Sequence, residues 1–521
     1  MKLTRRDLLL DGIAAGTVLC LGPKSLFAAS SAAPTLRALA NDPRRPQFHL
    51  LPPRNWINDP NGPIYWNGKY HLFYQTNPAC PCFGAMMWGH AVSPDMLHWK
   101  HMPLALVPTP GGPDAQGCWS GTAVVRNGVV TVMYTGVSFT RTGLDTASMN
   151  GVPLREQQCL AHSTDPDLKT WTKHPAAVID APPIAGIHLN GFRDPSPWQH
   201  GENFYLIVGT GMAQKGGAIF LYRSQDLLHW QYQHIAASGD DPVFRKVNPV
   251  EPGDMWECPD LFPLGDKHVL LCSTKGKAHW QTGVLDQTTM RFHCEHTGIL
   301  DLGAYYASKT QLDQHGNRIL WGWVQEQRPE AAFRQAGWAG MISLPRVLTL
   351  DSNGRLAINV APVVDTLRRN QQSVAITPDE NKNRRHIAGL SLENCCGEIL
   401  CTLPTNAGPF SLSIFGETAQ GQPAPDWMTL RFAPDASDQV MVDDQMVPLD
   451  LSRSDQLEIH MYVDGSVAEI FLNRQTAYTK RFYYPGTQAP KVRVRIDGNT
   501  AKLRNLSLWQ IAPISPDRLT T

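Results

Sequence analysis

Neither sign of charge is in excess along this chain: 46 Lys and Arg balance 46 Asp and Glu across 521 residues. That balance implies no broad basic face of the kind that nucleic acid or an anionic lipid surface requires. Beyond the N-terminal segment no stretch has the roughly 20 consecutive apolar residues that a membrane-spanning helix needs. Metal-ligand order is missing among the cysteines too. Cys80/Cys82 and Cys395/Cys396 have no partner pair or histidine at zinc-ligand spacing, so they read as structural thiols or bridges. What is present instead is turn-forming and aromatic: 42 Gly, 41 Pro and 15 Trp. Frequent turns between aromatic-rich runs predict an all-β protein.

Residues 1–29 are set aside as a targeting segment. Paired arginines, Arg5 and Arg6, precede an apolar run, and Leu26 to Ser30 offers small residues for cleavage. This pattern resembles a bacterial twin-arginine export signal, with an ordinary secretory signal as the alternative. A lipid anchor at Cys20 is excluded by the bulky Leu19 before it. The mature protein is expected outside the cytoplasm, periplasmic or extracellular, with no membrane attachment after signal removal.

Five runs share a pattern of a Gly, Asn or Asp turn followed by β-formers: Gly68–Tyr74, Gly128–Tyr134, Asn203–Gly209, Asp266–Leu271 and Asn317–Trp323. A second device repeats beside them. Ser93 to Trp99 and Ser224 to Trp230 both read Ser-x-Asp-x-Leu-His-Trp, and Ser163 to Trp171 is a longer variant. Each reads as a strand ending in Ser, an Asp-led turn, and a Trp opening the next strand. Repeats every ~50–75 residues predict propeller blades, with a stacked sandwich array as the alternative. The expected architecture is a five-bladed β-propeller over 40–355, a linker over 356–375 and a C-terminal β-sandwich over 376–521. Glu380 to His386 is charged and is expected to be a loop.

Three acidic stretches fall in different expected blades. Asn55 to Pro63 reads Asn-Trp-Ile-Asn-Asp-Pro-Asn-Gly-Pro and predicts a rigid turn carrying Asp59 beside Trp56 and Asn58. Gly191 to Pro195 places Arg193 beside Asp194, and Met255 to Asp260 places Glu257 beside Trp256, Cys258 and Pro259. Taken singly, a solvated turn and a surface Arg-Asp pair are the commoner outcomes. Asp260 competes with Glu257 as the functional group, and spacing alone does not choose between them. Together, three acidic loops converging on a propeller mouth fit glycoside hydrolysis, which needs one protonated and one ionised carboxyl across the bond. The apolar neighbours of Glu257 would suit it to be the acid, and Asp59, among amides, would stay ionised.

These motifs, in this order, resemble the signatures of the invertase–inulinase–levanase family, glycoside hydrolase family 32. Further stretches agree: Trp88–Ser93, Cys118–Gly121, Tyr306–Thr310, Ile319–Trp323 and Gly337–Gly340, with Tyr462–Phe471 resembling the family's sandwich domain. The resemblance runs from about residue 47 to the end, and its wording is nearest to plant-type acid invertases and fructan exohydrolases. It implies Asp59 as nucleophile, Glu257 as general acid and base, and Asp194 as transition-state stabiliser with Arg193 beside it. It implies sugar contacts for Asn58, Gln75, Trp119, Ser120 and Tyr306, with Trp56 as a pocket wall, and no metal or organic cofactor. Phe83 stands where the family usually has Trp, keeping an aromatic wall without the indole N–H. Ser273 to Trp280 lacks the Asp found in sucrose-preferring plant-type members. The resemblance thus implies release of terminal β-fructofuranosyl units from fructans or sucrose, tilted toward fructan exohydrolysis. A fructosyltransferase on the same scaffold is the nearest alternative, and a noncatalytic sugar-binding propeller is a further one.

Overall fold

A computed structural model describes residues 34–140, 147–149, 152–180, 189–212, 216–239, 255–373, 386–417, 423–433, 439–498 and 502–519. The expected export signal lies outside these residues, as does most of the expected loop from Glu380; His386 itself opens a strand, His386–Leu392.

The described chain is all-β. Its first part forms five antiparallel meanders, each built on four strands in chain order, with Ala147–Met149, Trp338–Ala339 and Met341–Ile342 added as short extra strands to the second, first and fifth. The first meander runs Asn55–Trp66, Lys69–Asn77, Met87–Ser93 and Lys100–His101. The second runs Gly117–Arg126, Val129–Phe139, Val152–Ser163 and Thr172–Lys173; the third Leu189–His200, Asn203–Met212, Gly216–Ser224 and Gln231–Ser238. The fourth is Glu257–Leu264, Lys267–Thr274, Lys277–Leu285 and Phe292–Asp301, and the fifth Tyr305–Leu312, Arg318–Val324, Arg346–Leu350 and Leu356–Val360. The five runs legible from turn and β-former composition are all second strands. The first strands of successive meanders pack against one another in chain order, and the fifth returns to the first. Closure is reinforced where Trp338–Ala339 pairs in parallel with Asn55 and Trp56.

The Ser-Asp-Trp device joins third to fourth strands, and its chemistry explains the repeat. Ser93 Oγ accepts from the Asp95 N–H, while Asp95 Oδ1 accepts from the Leu97 and His98 amides at 3.0 and 2.9 Å. Asp226 does the same for Leu228 and His229. These side chains satisfy backbone donors that a tight turn would otherwise leave unpaired.

Asn55–Pro63 was expected to be a turn; it lies within a continuous strand. Turn-formers persist there because the strand is bulged twice, between Ile57 and Pro60 and again between Asn61 and Ile64. Every first strand is bulged against its second: at Cys118/Gly121, at Leu189/Phe192 and Arg193/Ser196, at Glu257/Asp260 and at Tyr306/Lys309. A bulge breaks the two-residue alternation and re-aims side chains, a common device beside active sites. Its cost is visible in the positive φ of Asp194 (67°), Cys258 (50°) and Ala307 (56°), each outside the region an L-residue prefers.

The segment expected to link the two regions is itself structured. Leu356–Val360 completes the fifth meander because Leu356, Ile358 and Val360 alternate into the core. Pro362–Leu367 is a 3-10 turn, and Arg368–Ser373 pairs with Asn505–Ile511. Two sheets follow. One is six-stranded, from His386–Leu392 to Gln445–Val447; the other joins the fourth meander in a ten-stranded sheet through the Asp301–Ala477 bridge. Leu412, Ile414 and Leu430 of the first sheet pack with Ile399, Ile459 and Ile470 of the second.

Candidate active site

The site is built at the bulged ends of the first strands. Asp59 is fully buried. Its Oδ1 accepts from Asn58 Nδ2 at 3.0 Å, and its Oδ2 accepts from Ser120 Oγ and from Gln75 Nε2 at 3.3 Å. Gln75 Nε2 also donates to Ser120 Oγ, so three elements fix one carboxylate. Trp56, expected as a pocket wall, lies underneath: it is fully buried and its indole N–H donates to Asn58 Oδ1 at 2.8 Å. That bond turns the Asn58 amide so that its NH2 faces Asp59.

Asp194 is also fully buried. Its backbone N–H donates to Thr135 Oγ1 at 2.8 Å, and its Oδ2 accepts from the Cys258 N–H at 2.9 Å. The Cys258 thiol stands 3.4 Å from both Asp59 Oδ2 and Asp194 Oδ2. One residue therefore bridges the acids of the first and third meanders.

Glu257, one residue before this bridge, is 7 % exposed. Its Oε1 accepts from Arg193 Nε and Nη2 at 3.1 and 2.7 Å, and its Oε2 accepts from the Tyr306 hydroxyl at 2.6 Å. These neighbours differ from the apolar setting that its sequence context implies, because the contacts come from other meanders. Asp260, the competing acid, accepts from Thr310 N and Oγ1 at 2.8 and 2.7 Å and from Ser196 Oγ at 3.4 Å. It ties the fourth meander to the third and fifth. The buried Lys309 ammonium donates to the Pro259 carbonyl at 2.7 Å and secures the same bulge.

The aromatic floor is continuous. Phe83 meets Trp56 edge-on with centroids 6.5 Å apart and Trp119 at 6.1 Å, and Phe333 packs on Trp56 at 6.1 Å. The Arg193 guanidinium sits 5.9 Å from the Trp119 ring centre. Phe83 is delivered by a short loop closed by the Cys80–Cys82 disulfide. The residues expected to carry catalysis and sugar contacts thus belong to one neighbourhood.

Sequence reasoning missed Thr135, Gln158 and Glu156. Thr135 Oγ1 donates to Gln158 Oε1 at 3.3 Å, and Gln158 Nε2 donates to the Phe192 carbonyl at 2.9 Å. Glu156 is 1 % exposed and accepts from Arg193 Nη1 at 2.8 Å. The sequence trace of Glu156 and Gln158 is the polar run Arg155–Gln158 between the apolar Val152–Leu154 and Cys159–Ala161. Among the described residues, no group of three or more His, Cys, Asp or Glu is placed to hold a metal ion. No helix among them is long and apolar enough to cross a membrane.

Carboxyl groups from three strands, oriented by amides, hydroxyls and one guanidinium above an aromatic floor, define a sugar-processing, glycosidase-type site. Residues 49–359 match the Glycosyl hydrolases family 32 N-terminal domain, and residues 363–510 match the family 32 C-terminal domain. The chain belongs to glycosyl hydrolase family 32 and is a glycoside hydrolase. It is 31 % identical over 499 residues to a sucrose-6-phosphate hydrolase of Escherichia coli, covering 93 % of this chain and 99 % of that one. A raffinose invertase of Escherichia coli is 31 % identical over 510 residues, with the same coverage. The solved β-fructofuranosidase of Bombyx mori superposes with a TM-score of 0.71 at 27 % identity, over 92 % of this chain and 96 % of that one.

Proposed function

We propose that this enzyme is a retaining β-fructofuranosidase that releases terminal non-reducing β-D-fructofuranosyl units from fructans, sucrose or both. The observation that carries the reading is the Cys258 bridge. It holds Asp59 and Asp194 within one thiol's reach while Glu257, next in the chain, faces Arg193 and Tyr306. The five closed meanders are read as the blades of a five-bladed propeller, the two later sheets as its β-sandwich, and the first strands as the wall of its mouth.

In the first half-reaction an Asp59 oxygen attacks the anomeric carbon while the bond to the leaving oxygen breaks. Glu257 gives its proton to that oxygen. In the second half-reaction Glu257 takes a proton from water, whose oxygen displaces Asp59 and frees fructose with configuration retained. Asp194 holds fructose hydroxyls as charge develops on the ring. The carboxyls of Asp59 and Glu257 are expected about 5–5.5 Å apart in the productive complex, the spacing of retaining enzymes.

Fructans are favoured over sucrose by the edge formed by Lys267–Thr274 and Lys277–Leu285. The two strands meet in a two-residue turn, Lys275–Gly276, with no carboxylate to meet a glucosyl hydroxyl. The Lys277 ammonium is turned to the Leu302 and Gly303 carbonyls. Each sugar hydroxyl left unpaired there forfeits about 1 kcal/mol. Parallel incubation with sucrose, inulin and levan, with rates and products recorded, tests the reading. Faster fructose release from a fructan supports it, and trisaccharide accumulation from concentrated sucrose reassigns the enzyme as a transferase. The paired arginines at Arg5 and Arg6 support export; fractionation of the host cell, with activity recovered only from cytoplasm, overturns that part.

A further inference from the structure

On the reading of Glu257 as general acid and base, we propose that Glu156 is a positioning residue that counterbalances Arg193. It thereby sets the pH range over which Glu257 carries its proton. Glu156 lies in Val152–Ser163, on the second meander, and none of the family motifs includes it. Its carboxylate is buried and grips the residues just before Asp194 twice. Oε2 accepts from the Phe192 N–H at 2.7 Å, and Oε1 accepts from Arg193 Nη1 at 2.8 Å. The other side of the same guanidinium, Nε and Nη2, faces Glu257 Oε1. One cation, with its side chain only 12 % exposed, is thus clamped between two carboxylates.

The reaction requires Glu257 to lose a proton and regain it once per turnover. Were Glu257 the sole counter-ion in this clamp, each protonation would strip the largely buried guanidinium of its anion, a costly state. Glu156 keeps Arg193 paired in both protonation states, so the proton comes and goes without stranding a charge. Its negative charge across the guanidinium also opposes a second negative charge on Glu257. Glu257 also faces the Tyr306 hydroxyl and, across Cys258, Asp59 and Asp194. The charge-keeping variant Glu156→Asp separates loss of charge from displacement of the Phe192–Asp194 backbone.

The test is the pH profile of kcat/KM for Glu156→Gln and Glu156→Asp, each on the best sugar substrate and on an aryl fructoside whose leaving group needs no proton. Glutamine keeps an acceptor for the Phe192 N–H but removes the charge. The high-pH limb of Glu156→Gln on the sugar is expected to move down by about one pH unit, roughly a tenfold loss on that limb. On the aryl fructoside the same variant stays within about twofold of the parent. Glu156→Asp keeps the charge and is expected to keep the limb where the parent has it, whatever its rate. A limb that does not move in Glu156→Gln, an equal loss on both substrates at every pH, or the same displacement in Glu156→Asp overturns the proposal. A parent that releases no fructose from any sugar overturns the functional reading itself; an active parent with an unmoved limb overturns this inference alone.

Discussion

Two sets of buried carboxylates divide the molecule. At the mouth, Asp59 and Asp194 are gripped by amide, hydroxyl and thiol donors, and Glu257 and Glu156 share the single guanidinium of Arg193. At the junction with the later sheets, Asp301, Asp464 and Glu469 are gripped by two cations. Arg346 donates to Glu469 Oε2 and Asp301 Oδ2 at 2.7 and 2.9 Å, and His49 lies 2.8 Å from Asp464 and 3.0 Å from Glu469. All five junction side chains are fully buried. A carboxylate locked to a cation fixes two elements together but has spent its charge. One oriented by neutral donors is equally fixed, and those donors carry no charge to offset its own. The junction uses the first kind throughout, whereas the mouth combines the second kind, at Asp59 and Asp194, with a cation that Glu257 has to share with Glu156.

Several substitutions break or sharpen that division. Asp59→Asn removes the charge that the mouth preserves, and turnover on every fructosyl substrate is expected to fall by roughly 10⁴ or more. Its melting temperature should stay near the parent's; substantial residual activity rules out the nucleophile. Glu257→Gln is expected to lose ~10²–10⁴ on natural sugars and far less on an aryl fructoside, measured as kcat on both. Equal losses assign the proton to another group.

At the junction the expectation reverses. Arg346→Met leaves Glu469 and Asp301 buried without their cation and should cost about 3–5 kcal/mol in denaturant unfolding. Activity per folded molecule is expected to stay at the parent level. A fall in that quantity, rather than in stability, would erase the distinction between the two sets.

The smallest effect is a pH dependence of stability. Burial by itself pushes the His49 imidazole down, but the hydrogen bonds to Asp464 and Glu469 outweigh it and raise its pKa to about 9. A folded-state value above the unfolded one stabilises fully below about pH 6.5. The contribution is then lost as pH rises through about 9. Burial would raise Glu469, but Arg346 and His49 hold it down from 4.5 to about 2, so its contribution is full above about pH 4.5 and is lost as pH falls toward 2. Melting scans should therefore show a decline between about pH 6.5 and 9 that His49→Gln abolishes; an unchanged decline in that variant places its origin elsewhere.

The β character, the second strands and the acidic motifs were legible because each is a local signal. Turn residues before β-formers mark Lys69–Asn77 or Asn203–Met212 without reference to any other part of the chain. The Asp-led turns at Asp95 and Asp226 close hydrogen bonds within three residues, so their sequence carries their geometry. Asn55–Pro63 was misread as a turn for the same reason. Asn, Pro and Gly encode departure from a regular strand, and here that departure is a pair of bulges whose partner strand supplies the pairing.

By itself, then, the sequence determined an all-β chain and marked the three acidic motifs of the proposed site; that Asp59, Asp194 and Glu257 lie on strands and not in turns was decided by the structure. Tertiary structure alone decided that Asp260 binds Thr310 while Glu257 meets Arg193. It also decided that Trp56 supports Asn58 from beneath, that Glu156 shares Arg193 with Glu257, and that His49 reaches Asp464 from 415 residues away. The physical reason is that a buried charge is stable only beside its partner. That partner is chosen by strand register, bulge and ring closure, none of which is written in the residues next to it.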